Sequence, residues 1–492
     1  MVAPFFVWLV GFPLMFSPLI YLSGRLWNAA RGTALIVLVA AWVPFVLAAR
    51  EFASQGTTSF ALGAIALRLD GLSLLLAALV LALTSLVVLF SGPYLSGQVG
   101  EDKYYALLVA AAGVMIGLGC AADLFNLWVW FESMAVSSYL LVAFHREQPS
   151  SLEAGVKYLV QNAAGSILAL LGIALVFAQT GTLDLDRIRS AAQPSPMLLA
   201  AGALFIIGFG VKIALVPMHT WLPDAHAQAP SGISAMLSGV VIETGLIALI
   251  RAFGALAGVT VSWGALLMGL GALNMLVGNL MALKQVQVKR LLAFSSLSHV
   301  GYMLAGLGIG IYAGDAAGAQ GGFFHLFNHG LMKGLAFLAA GALLYVLRLA
   351  AGDHAPLTIS DLGGAARRYP LAALALSLSV LGLAGLPPLA GFMSKWQIFV
   401  AGFETHNLLI NALIVFAALN SVLSLAYYAP LVNAVYRQHP SDAVQRGQPL
   451  PVLMQVPLAV LAVAIIAIGL WPGLVQWLTE PAGWSLLKAF GG

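Results

Sequence analysis

Fourteen long apolar segments follow one another along this chain of 492 residues, with short polar loops between them. Each is close to the ~20 residues that a helix needs to cross the hydrocarbon core of a bilayer. Backbone groups in lipid must hydrogen-bond within the protein, so only helices or closed barrels can span it, and these runs are too long and too unalternating for barrel strands. The sequence therefore predicts an all-α polytopic membrane protein. The segments lie near 2–22, 33–50, 71–91, 104–121, 124–144, 158–179, 197–218, 232–256, 262–282, 296–313, 320–346, 370–402, 407–433 and 453–477.

Composition narrows the classes of function. Charged residues make up 8% of the chain, against about 25% in a typical soluble domain, so we expect no soluble domain and no nucleic-acid partner. The single cysteine, Cys120, cannot form an intrachain disulfide or a thiolate cluster. Walker, HExxH and Rossmann motifs are absent from the sequence, so we expect no catalytic residue, no cofactor and no metal. The N-terminal MVAPFFVWLV lacks the basic start of a signal peptide, and we interpret it as the first span.

The distribution of Lys and Arg predicts the orientation. They are more frequent in one alternate set of loops than in the other, and basic loops stay on the cytoplasmic side. An even number of spans returns the chain to its starting side, so both termini are predicted outside. Arg251 is counted with the outer segments. The alternating stretch at 57–69 predicts a small hairpin on that outer side.

Two spans contain prolines that should interrupt them. Pro217 follows GFGVKIALV in the first, and Pro387 and Pro388 lie within LAGLPPLAGF in the second. A proline inside a helix removes a donor and clashes with the preceding turn. A membrane tolerates this where the freed groups face protein or a water-filled cavity. Interrupted spans in the two halves of a chain indicate inverted repeats around a transport site.

Ionisable residues also fall deep within the spans. With the helical rise of 1.5 Å per residue, Glu132 lies ~14 Å and Glu243 ~17 Å into its helix. Intervals of four residues place the later histidines and a lysine on one helical face. Unpaired charges at such depth are costly, so the set requires an explanation. Its members are Glu132, Lys212, Glu243, His325, His329, Lys333 and Lys395.

Each of these residues taken alone has a structural interpretation. The ammonium of Lys395 could extend to the membrane surface at the end of its long side chain, and Glu243 could form a structural ion pair. We expect structural roles for His219 and His226 near the inner surface, and a hydrogen bond from His299 to its serine neighbours. Together, however, the seven deep residues are too many for incidental packing. Carboxylates, histidines and buried lysines are groups that pass protons, so the set predicts a connected proton path, while Na⁺ stays open because unwound helices supply carbonyl ligands.

Four motifs resemble those of the antiporter-like membrane subunits of the complex I superfamily: GFGVKIALVPMHTWLPDAHAQAPSGISAMLSG, KRLLAFSSLSHVGYM, HLFNHGLMKGLAF and GLPPLAGFMSKW. This family includes the large pumping subunits of respiratory complex I, subunits of Mrp-type cation/proton antiporters and subunits of group 4 membrane-bound hydrogenases. The resemblance covers about 68–430 and implies about fourteen helices with two inverted five-helix repeats, each with a broken helix. It assigns 1–103 to three N-terminal helices, 104–256 and 262–433 to the repeats, and 434–492 to the C-terminal helix.

The resemblance also implies roles for the deep residues. Glu132 and Lys212 match the switching ion pair of the family, and Lys395 matches the terminal group of its path. The central relay of the family matches His325, His329 and Lys333.

Glu243 departs from the pattern of the family, which usually has a lysine at this site to link two half-channels. The flanking residues of LSGVVIETGLIALIR otherwise fit. The substitution inverts the local charge, and we expect Glu243 to lie within water-bridged reach of Lys212 or Lys333. Asp70, in the DGLS segment near the outer surface, is given no transport role.

The resemblance implies a proton-translocating subunit in the inner membrane of a prokaryote. Its partners would be other membrane subunits, including related antiporter-like subunits, and a redox module of the NADH:quinone oxidoreductase or hydrogenase type, or an antiporter module. Two alternatives stay open, namely an Mrp-type Na⁺/H⁺ antiporter subunit and a subunit of an inorganic-carbon uptake complex. A non-conducting scaffold is disfavoured because the ionisable residues are retained.

Overall fold

The computed structural model describes residues 4–63, 65–259 and 261–491, and these residues are mostly helical. The helices are α1 (Phe5–Trp27), α2 (Ala30–Gln55), α3 (Gly71–Leu95), α4 (Glu101–Gly119), α5 (Leu124–Val142), α6 (Pro149–Thr180), α7 (Leu185–Ala191), α8 (Pro196–Ile213), α9 (Trp221–Gln228), α10 (Ser231–Met236), α11 (Ile242–Ala255), α12 (Trp263–Ala282), α13 (Val288–Ala313), α14 (Ala316–Leu347), α15 (Ala365–Arg368), α16 (Pro370–Ala384), α17 (Ala390–Glu404), α18 (Leu408–Val435), α19 (Asp442–Arg446), α20 (Val452–Leu470) and α21 (Gly473–Ala489). Two strands, β1 (Thr58–Leu62) and β2 (Ile65–Leu69), precede α3. A π-helical turn, Leu237–Val241, joins α10 to α11, and 3-10 turns occupy Leu349–Ala351 and Ser360–Leu362.

The predicted spans are helical, which confirms an all-α polytopic membrane protein. In the described part of the chain, twelve helices are long and apolar enough to cross a membrane. The other two predicted spans are α5, with 19 residues, and the pair of α16 and α17, which together replace one interrupted span.

The first interruption lies between α8 and α9. Ala214 ends α8 in the left-handed conformation, with φ of 56°. Asn274 on α12 satisfies the unwound backbone there, because its Oδ1 accepts a hydrogen bond from the amide of Val216 at 2.9 Å. This unwound segment, with Pro217, thus presents its free polar groups to protein rather than to lipid.

The second interruption spans residues 385–389, between α16 and α17. Two side chains satisfy the last carbonyls of α16. Lys395 Nζ donates to the carbonyl of Leu383 at 2.8 Å, and Ser421 Oγ donates to the carbonyl of Ala384 at 2.8 Å. Polar side chains inside the bundle therefore accept the role of hydrogen-bond partners for the carbonyls that the interruption leaves free.

The innermost helices are α10–α11 and α13, whose most apolar stretches are completely buried, whereas α2 and α18 expose most of theirs. Two glycines bring α14 against the π-helical turn. A Cβ on Gly239 would lie 2.9 Å from the carbonyl oxygen of Gly330, and a Cβ on Gly330 would lie 2.6 Å from that of Gly239. Such approach requires residues without side chains, and it encloses the polar groups of α11, α13 and α14 within protein.

The two ends of the bundle differ. At one end, which we call the hairpin end, β1 and β2 pair antiparallel with Thr58 opposite Leu69, at the position predicted for a hairpin; residue 64, in its turn, lies outside the described residues. Helix α21 covers the same end, and Ser485 Oγ accepts a hydrogen bond from the amide of Gly71 at 3.1 Å. One C-terminal helix was predicted in 434–492, whereas the structure has three helices there, α19, α20 and α21. The opposite end, formed by the loops around 144–148, 227–229 and 284–287, is called the loop end.

Candidate functional site

Six of the seven predicted deep residues are enclosed, with relative exposures of 3% or less. Glu132 is the exception and is partly exposed. The enclosed residues lie on α8, α11, α14 and α17, and they are Lys212, Glu243, His325, His329, Lys333 and Lys395.

Lys212 lies in the last turn of α8, just before the first interruption. Its Nζ donates to Tyr158 Oη at 2.7 Å and to Asn162 Oδ1 at 3.2 Å, both on α6. The ammonium also lies 4.6 Å from the centre of the Tyr158 ring and 5.9 Å from that of Phe131. Hydroxyl, amide and aromatic groups thus surround the charge.

The resemblance implies an ion pair between Glu132 and Lys212, and this ion pair is not formed in this structure. Among the described residues, no ion pair within 4.0 Å joins Glu132 to a cation, and Glu132 Oε1 has no hydrogen-bond partner. The two helices nevertheless pack together, because Phe131 meets Phe209 with ring centroids 5.1 Å apart. Glu132 and Lys212 therefore lie on adjoining helices with their charges separated.

Glu243 follows the π-helical turn, and its direct partner is a histidine. Nδ1 of His329 lies 2.6 Å from Oε1 of Glu243, and both side chains are fully buried. This contact places Glu243 beside His329, one helical turn before Lys333, and its water-bridged reach of Lys212 or Lys333 stays a prediction. Within the described chain, Glu243 Oε2 and His329 Nε2 have no hydrogen-bond partner. π-helical turns are frequent at functional sites, and this one aims Glu243 at α14.

His299 on α13 belongs to the same cluster, although its position among serines predicts hydrogen bonds to those neighbours. Its Nδ1 lies 3.1 Å from Nε2 of His325, and its ring centroid lies 5.3 Å from that of His329. Nδ1 of His325 in turn contacts Ser394 Oγ at 2.9 Å. The expectation for His299 was wrong because its partner comes from α14, 26 residues further along the chain.

Lys333 continues the polar stripe of α14 towards the loop end. Its Nζ donates to the carbonyl of Leu292 at 2.8 Å and to the hydroxyl of Ser295, both on α13. Tyr428 Oη donates to the same hydroxyl at 2.7 Å. Lys333 therefore has neutral oxygens as its direct partners.

Lys395 lies on α17 beside the second interruption. Besides the carbonyl of Leu383, its Nζ contacts Ser421 Oγ at 2.8 Å and lies 4.5 Å from the centre of the Tyr302 ring. With 3% exposure it does not extend to the membrane surface. A cation at the end of a helix also interacts favourably with the helix dipole, so Lys395 both stabilises the break and places a charge within it.

His226 starts a side branch that reaches Lys333. Its Nε2 lies 3.2 Å from Ser238 Oγ, which lies 2.7 Å from Ser296 Oγ. Ser296 donates to the carbonyl of Leu292 at 3.1 Å, the carbonyl that also accepts from Lys333. A structural role was expected for His226. In the structure, His226 also begins a series of hydrogen-bonded groups that leads into the bundle.

A separate charge cluster closes the hairpin end. Arg251 donates to both carboxylate oxygens of Asp70, at 3.0 and 2.9 Å, and Arg68 lies 3.2 Å from Asp70. Arg251 is 4% exposed and belongs to the buried α11 rather than to an outer loop. Burial opposes a charge on Asp70, but the positive charges of Arg251 and Arg68 outweigh it and lower the pKa of this carboxyl.

Two interrupted helices and a shielded core of carboxylate, imidazole and ammonium groups define a polytopic membrane protein with a polar path inside it. In the described residues, no group of three or more His, Cys, Asp or Glu side chains is placed to hold a metal ion. The sequence family described as "NADH:quinone oxidoreductase/Mrp antiporter, TM" matches residues 121–424, a range that includes all seven predicted residues. The chain therefore belongs to the antiporter-like membrane subunits of the complex I superfamily.

Known relatives extend this match over most of the chain. F(420)H(2) dehydrogenase subunit N of Methanosarcina mazei is 32% identical over 418 residues, which is 82% of each chain. NADH-quinone oxidoreductase subunit N of Desulforamulus reducens is 32% identical over 409 residues, again 82% of each chain. A solved chain of the membrane-bound sulfane sulfur reductase, an archaeal respiratory membrane complex, superposes with a TM-score of 0.88, 27% identity and 99% of each chain covered.

Proposed function

We propose that this chain translocates protons as a subunit of a complex I-related membrane assembly, along the buried groups from Glu132 to Lys395. The proposal rests on a cluster at the centre of the bundle, in which Glu243 is hydrogen-bonded to His329 and His299 to His325, and the rings of His329 and His299 lie 5.3 Å apart. These groups both accept and donate protons, and protein encloses them on all sides. A proton that crosses hydrocarbon needs such groups, because an isolated charge there is costly.

In the first half of the path, Glu132 and Lys212 act as a switch. A carboxylate in contact with the ammonium stabilises its charge, and this attraction is strong where the dielectric constant is low. When Glu132 withdraws, the buried ammonium loses its counter-charge, and release of its proton becomes favourable. The separated arrangement, with Lys212 against Tyr158 and Asn162, corresponds to the releasing state.

In the centre, Glu243 and His329 hold the proton between the two halves. An imidazole accepts a proton at one nitrogen and releases one from the other. His329 can therefore take a proton on its unpartnered Nε2 while its Nδ1 remains on Glu243. A lysine at position 243 would instead place a second ammonium against His329, which lies one helical turn from Lys333, so the carboxylate favours an additional proton in this region.

The second half of the path runs from His325 through Ser394 towards Lys395 and Ser421. We assign residues 104–256 and 262–433 to two inverted repeats, each contributing one half-channel around its interrupted helix. The loop end faces the cytoplasm, because the basic loops lie there, and both termini lie on the outer side of a prokaryotic inner membrane.

Energy for transport comes from partner subunits in this proposal. The similar proteins named above are subunits of F(420)H(2) dehydrogenase and NADH-quinone oxidoreductase, and of a respiratory reductase. We therefore infer a redox module and further membrane subunits as partners. A second candidate is an Mrp-type Na⁺/H⁺ antiporter subunit, because the description of the family also includes that class.

The test is proton pumping by the intact complex in inverted membrane vesicles. Glu132→Gln and Lys212→Ala should each abolish the substrate-driven pH gradient while the complex remains assembled, and Glu404→Gln, at an exposed carboxylate, should leave it unchanged. Pumping that persists in both of the first two variants contradicts the proposal. A gradient that forms only with Na⁺ present favours the Mrp-type alternative.

A further inference from the structure

A small, partly open cavity at the loop end lies apart from the seven deep residues. Its volume is about 110 Å³, and residues of α3 and α14 line it together with the segments around 145–148, 227–229, 287–289 and 354–357. A site for one water molecule needs roughly 10–15 Å³ by the same kind of measure, so the cavity has room for a ligand of several heavy atoms. Its polar lining includes His145, Gln148, Gln228, Lys289 and His354.

The charge of this lining is one-sided. It contains a lysine and two histidines, and no Asp or Glu is among the lining residues. The nearby acidic residues have other partners: Asp353 lies 2.5 Å from Arg348, and Glu147 lies 3.6 Å from Arg146. The cavity lining is therefore basic in composition and carries no acidic group.

Lys289 is the unusual member of the lining. It is 7% exposed, and its Nζ donates only to the carbonyls of Ala229, at 2.5 Å, and of Ala227, at 3.5 Å. An ammonium has three protons to donate, so one has no acceptor in the described chain. The next residue, Arg290, has a carboxylate partner, Asp224, at 2.6 Å. A buried cation is normally paired, and Lys289 lacks the counter-charge that its neighbour has.

The other polar groups are arranged as donors. Ser150 Oγ donates to Oε1 of Gln228 at 3.0 Å, which leaves the amide nitrogen of Gln228 as a free donor. His145 lies in the loop between α5 and α6, and burial together with the positive charges of Lys289 and His354 lowers its pKa to about 4. An anion in the cavity would counteract these positive charges.

We propose that the cavity binds one small oxyanion, a phosphate or a carboxylate group, through Lys289, Gln228 and the adjacent histidines. The ligand supplies the missing counter-charge of Lys289 and accepts its third proton. Charge-assisted hydrogen bonds from ammonium to oxyanion are the strong type. The site lies among loops at the loop end, so occupancy ties four loops together. This proposal does not depend on which ion the chain transports along its buried ionisable residues.

The experiment measures thermal unfolding of the full chain in nanodiscs of zwitterionic phosphatidylcholine, which supply no anionic headgroup. Sodium phosphate or sodium acetate is titrated against chloride at constant ionic strength. We expect a saturable rise in Tm, because a ligand that binds only the folded state stabilises it. Lys289→Gln should weaken the apparent affinity by at least about tenfold, whereas Lys284→Gln, at an exposed lysine of the same end, should retain it.

The two anions distinguish the source of the ligand. A response to phosphate supports a free anion, and a response to acetate alone supports a carboxylate side chain of a partner protein. If Lys289→Gln fails to fold, Gln228→Leu replaces it in the titration and should also weaken the apparent affinity. In the wild-type chain, NMR can follow His145, whose pKa should rise when the anion binds. No rise in Tm with either anion, or an equal rise in Lys289→Gln, overturns the proposal.

Discussion

Nδ1 of His329 and Oε1 of Glu243 lie 2.6 Å apart, and this hydrogen bond joins α14 to α11 at the fully buried centre of the bundle. The two helices come from the two ranges that we propose as repeats. The contact thus falls where two half-channels would have to exchange a proton. It also accounts for a glutamate at a position where the family usually has a lysine, because the imidazole of His329 offers that carboxylate a donor.

Glu243→Gln should stop proton transport while the protein stays folded. The amide preserves a hydrogen bond to His329 but holds no exchangeable acid proton. We expect at least a tenfold fall in the initial rate of substrate-driven pH-gradient formation, about 1.4 kcal/mol in barrier height. The rate should be compared with Glu404→Gln in vesicles with equal amounts of assembled complex. A normal rate in Glu243→Gln would remove this residue from the path.

Glu243→Lys should also block transport rather than restore the arrangement usual in the family. The new ammonium would face His329, which lies one helical turn from Lys333, and it would have no carboxylate partner. Burial of an unpaired charge of this kind costs several kcal/mol. Both the pumping rate and the Tm of the complex should fall, and a fully active, stable variant would show that the cluster rearranges.

Gly239→Ala should separate α14 from the π-helical turn and weaken the contact of Glu243 with His329. The alanine Cβ would lie 2.9 Å from the carbonyl oxygen of Gly330. This oxygen belongs to the backbone of a packed helix and cannot easily move away. Overpacking of this type costs about 1–3 kcal/mol, so a lower Tm and a slower pumping rate are expected. Gly269→Ala on α12 is the control, because a Cβ there meets no atom within 4 Å. Equal behaviour of the two variants would contradict the close approach.

His299→Gln should interrupt the path although His299 lies outside the stripe of α14. The amide can fill the space between His325 and His329 but cannot take up and release a proton. Pumping should fall about tenfold or more, equivalent to ~1.4 kcal/mol in the barrier, with a small change in Tm. His439→Gln, at an exposed histidine, should leave the rate unchanged. An unaffected rate in His299→Gln would mean that protons pass from His329 to His325 without it.

Asp70→Asn should destabilise the hairpin end without altering transport per folded molecule. It leaves Arg251 buried without its carboxylate, which costs roughly 3–5 kcal/mol, whereas Asp442→Asn at an exposed site should have little effect. The folded state lowers the pKa of Asp70 below its unfolded value of about 4. The stabilisation is therefore complete above that value and lost as the pH falls through the folded pKa. Unfolding temperatures measured across acidic pH should converge for wild type and Asp70→Asn, and parallel curves would refute the linkage.

The helical, membrane-spanning architecture and the deep ionisable residues could be predicted from the sequence alone. Lipid makes this possible, because it accepts neither unpaired backbone groups nor stray charges. Long apolar runs, the prolines in two spans and the buried placement of Lys212, Glu243 and Lys333 could all be anticipated for that reason. The motifs also led to the family that the comparisons show.

The contacts between the buried side chains, in contrast, are visible only in the three-dimensional structure. Glu243 contacts His329, and His299 contacts His325. Lys212 donates a hydrogen bond to Tyr158 and forms no ion pair with Glu132. Such partners lie on different helices, so their contact depends on the rotation and depth of each helix to within a few ångströms, which periodicity does not specify. α21 was not predicted as a separate helix, although Pro472 and Gly473 mark the break after α20 in the sequence.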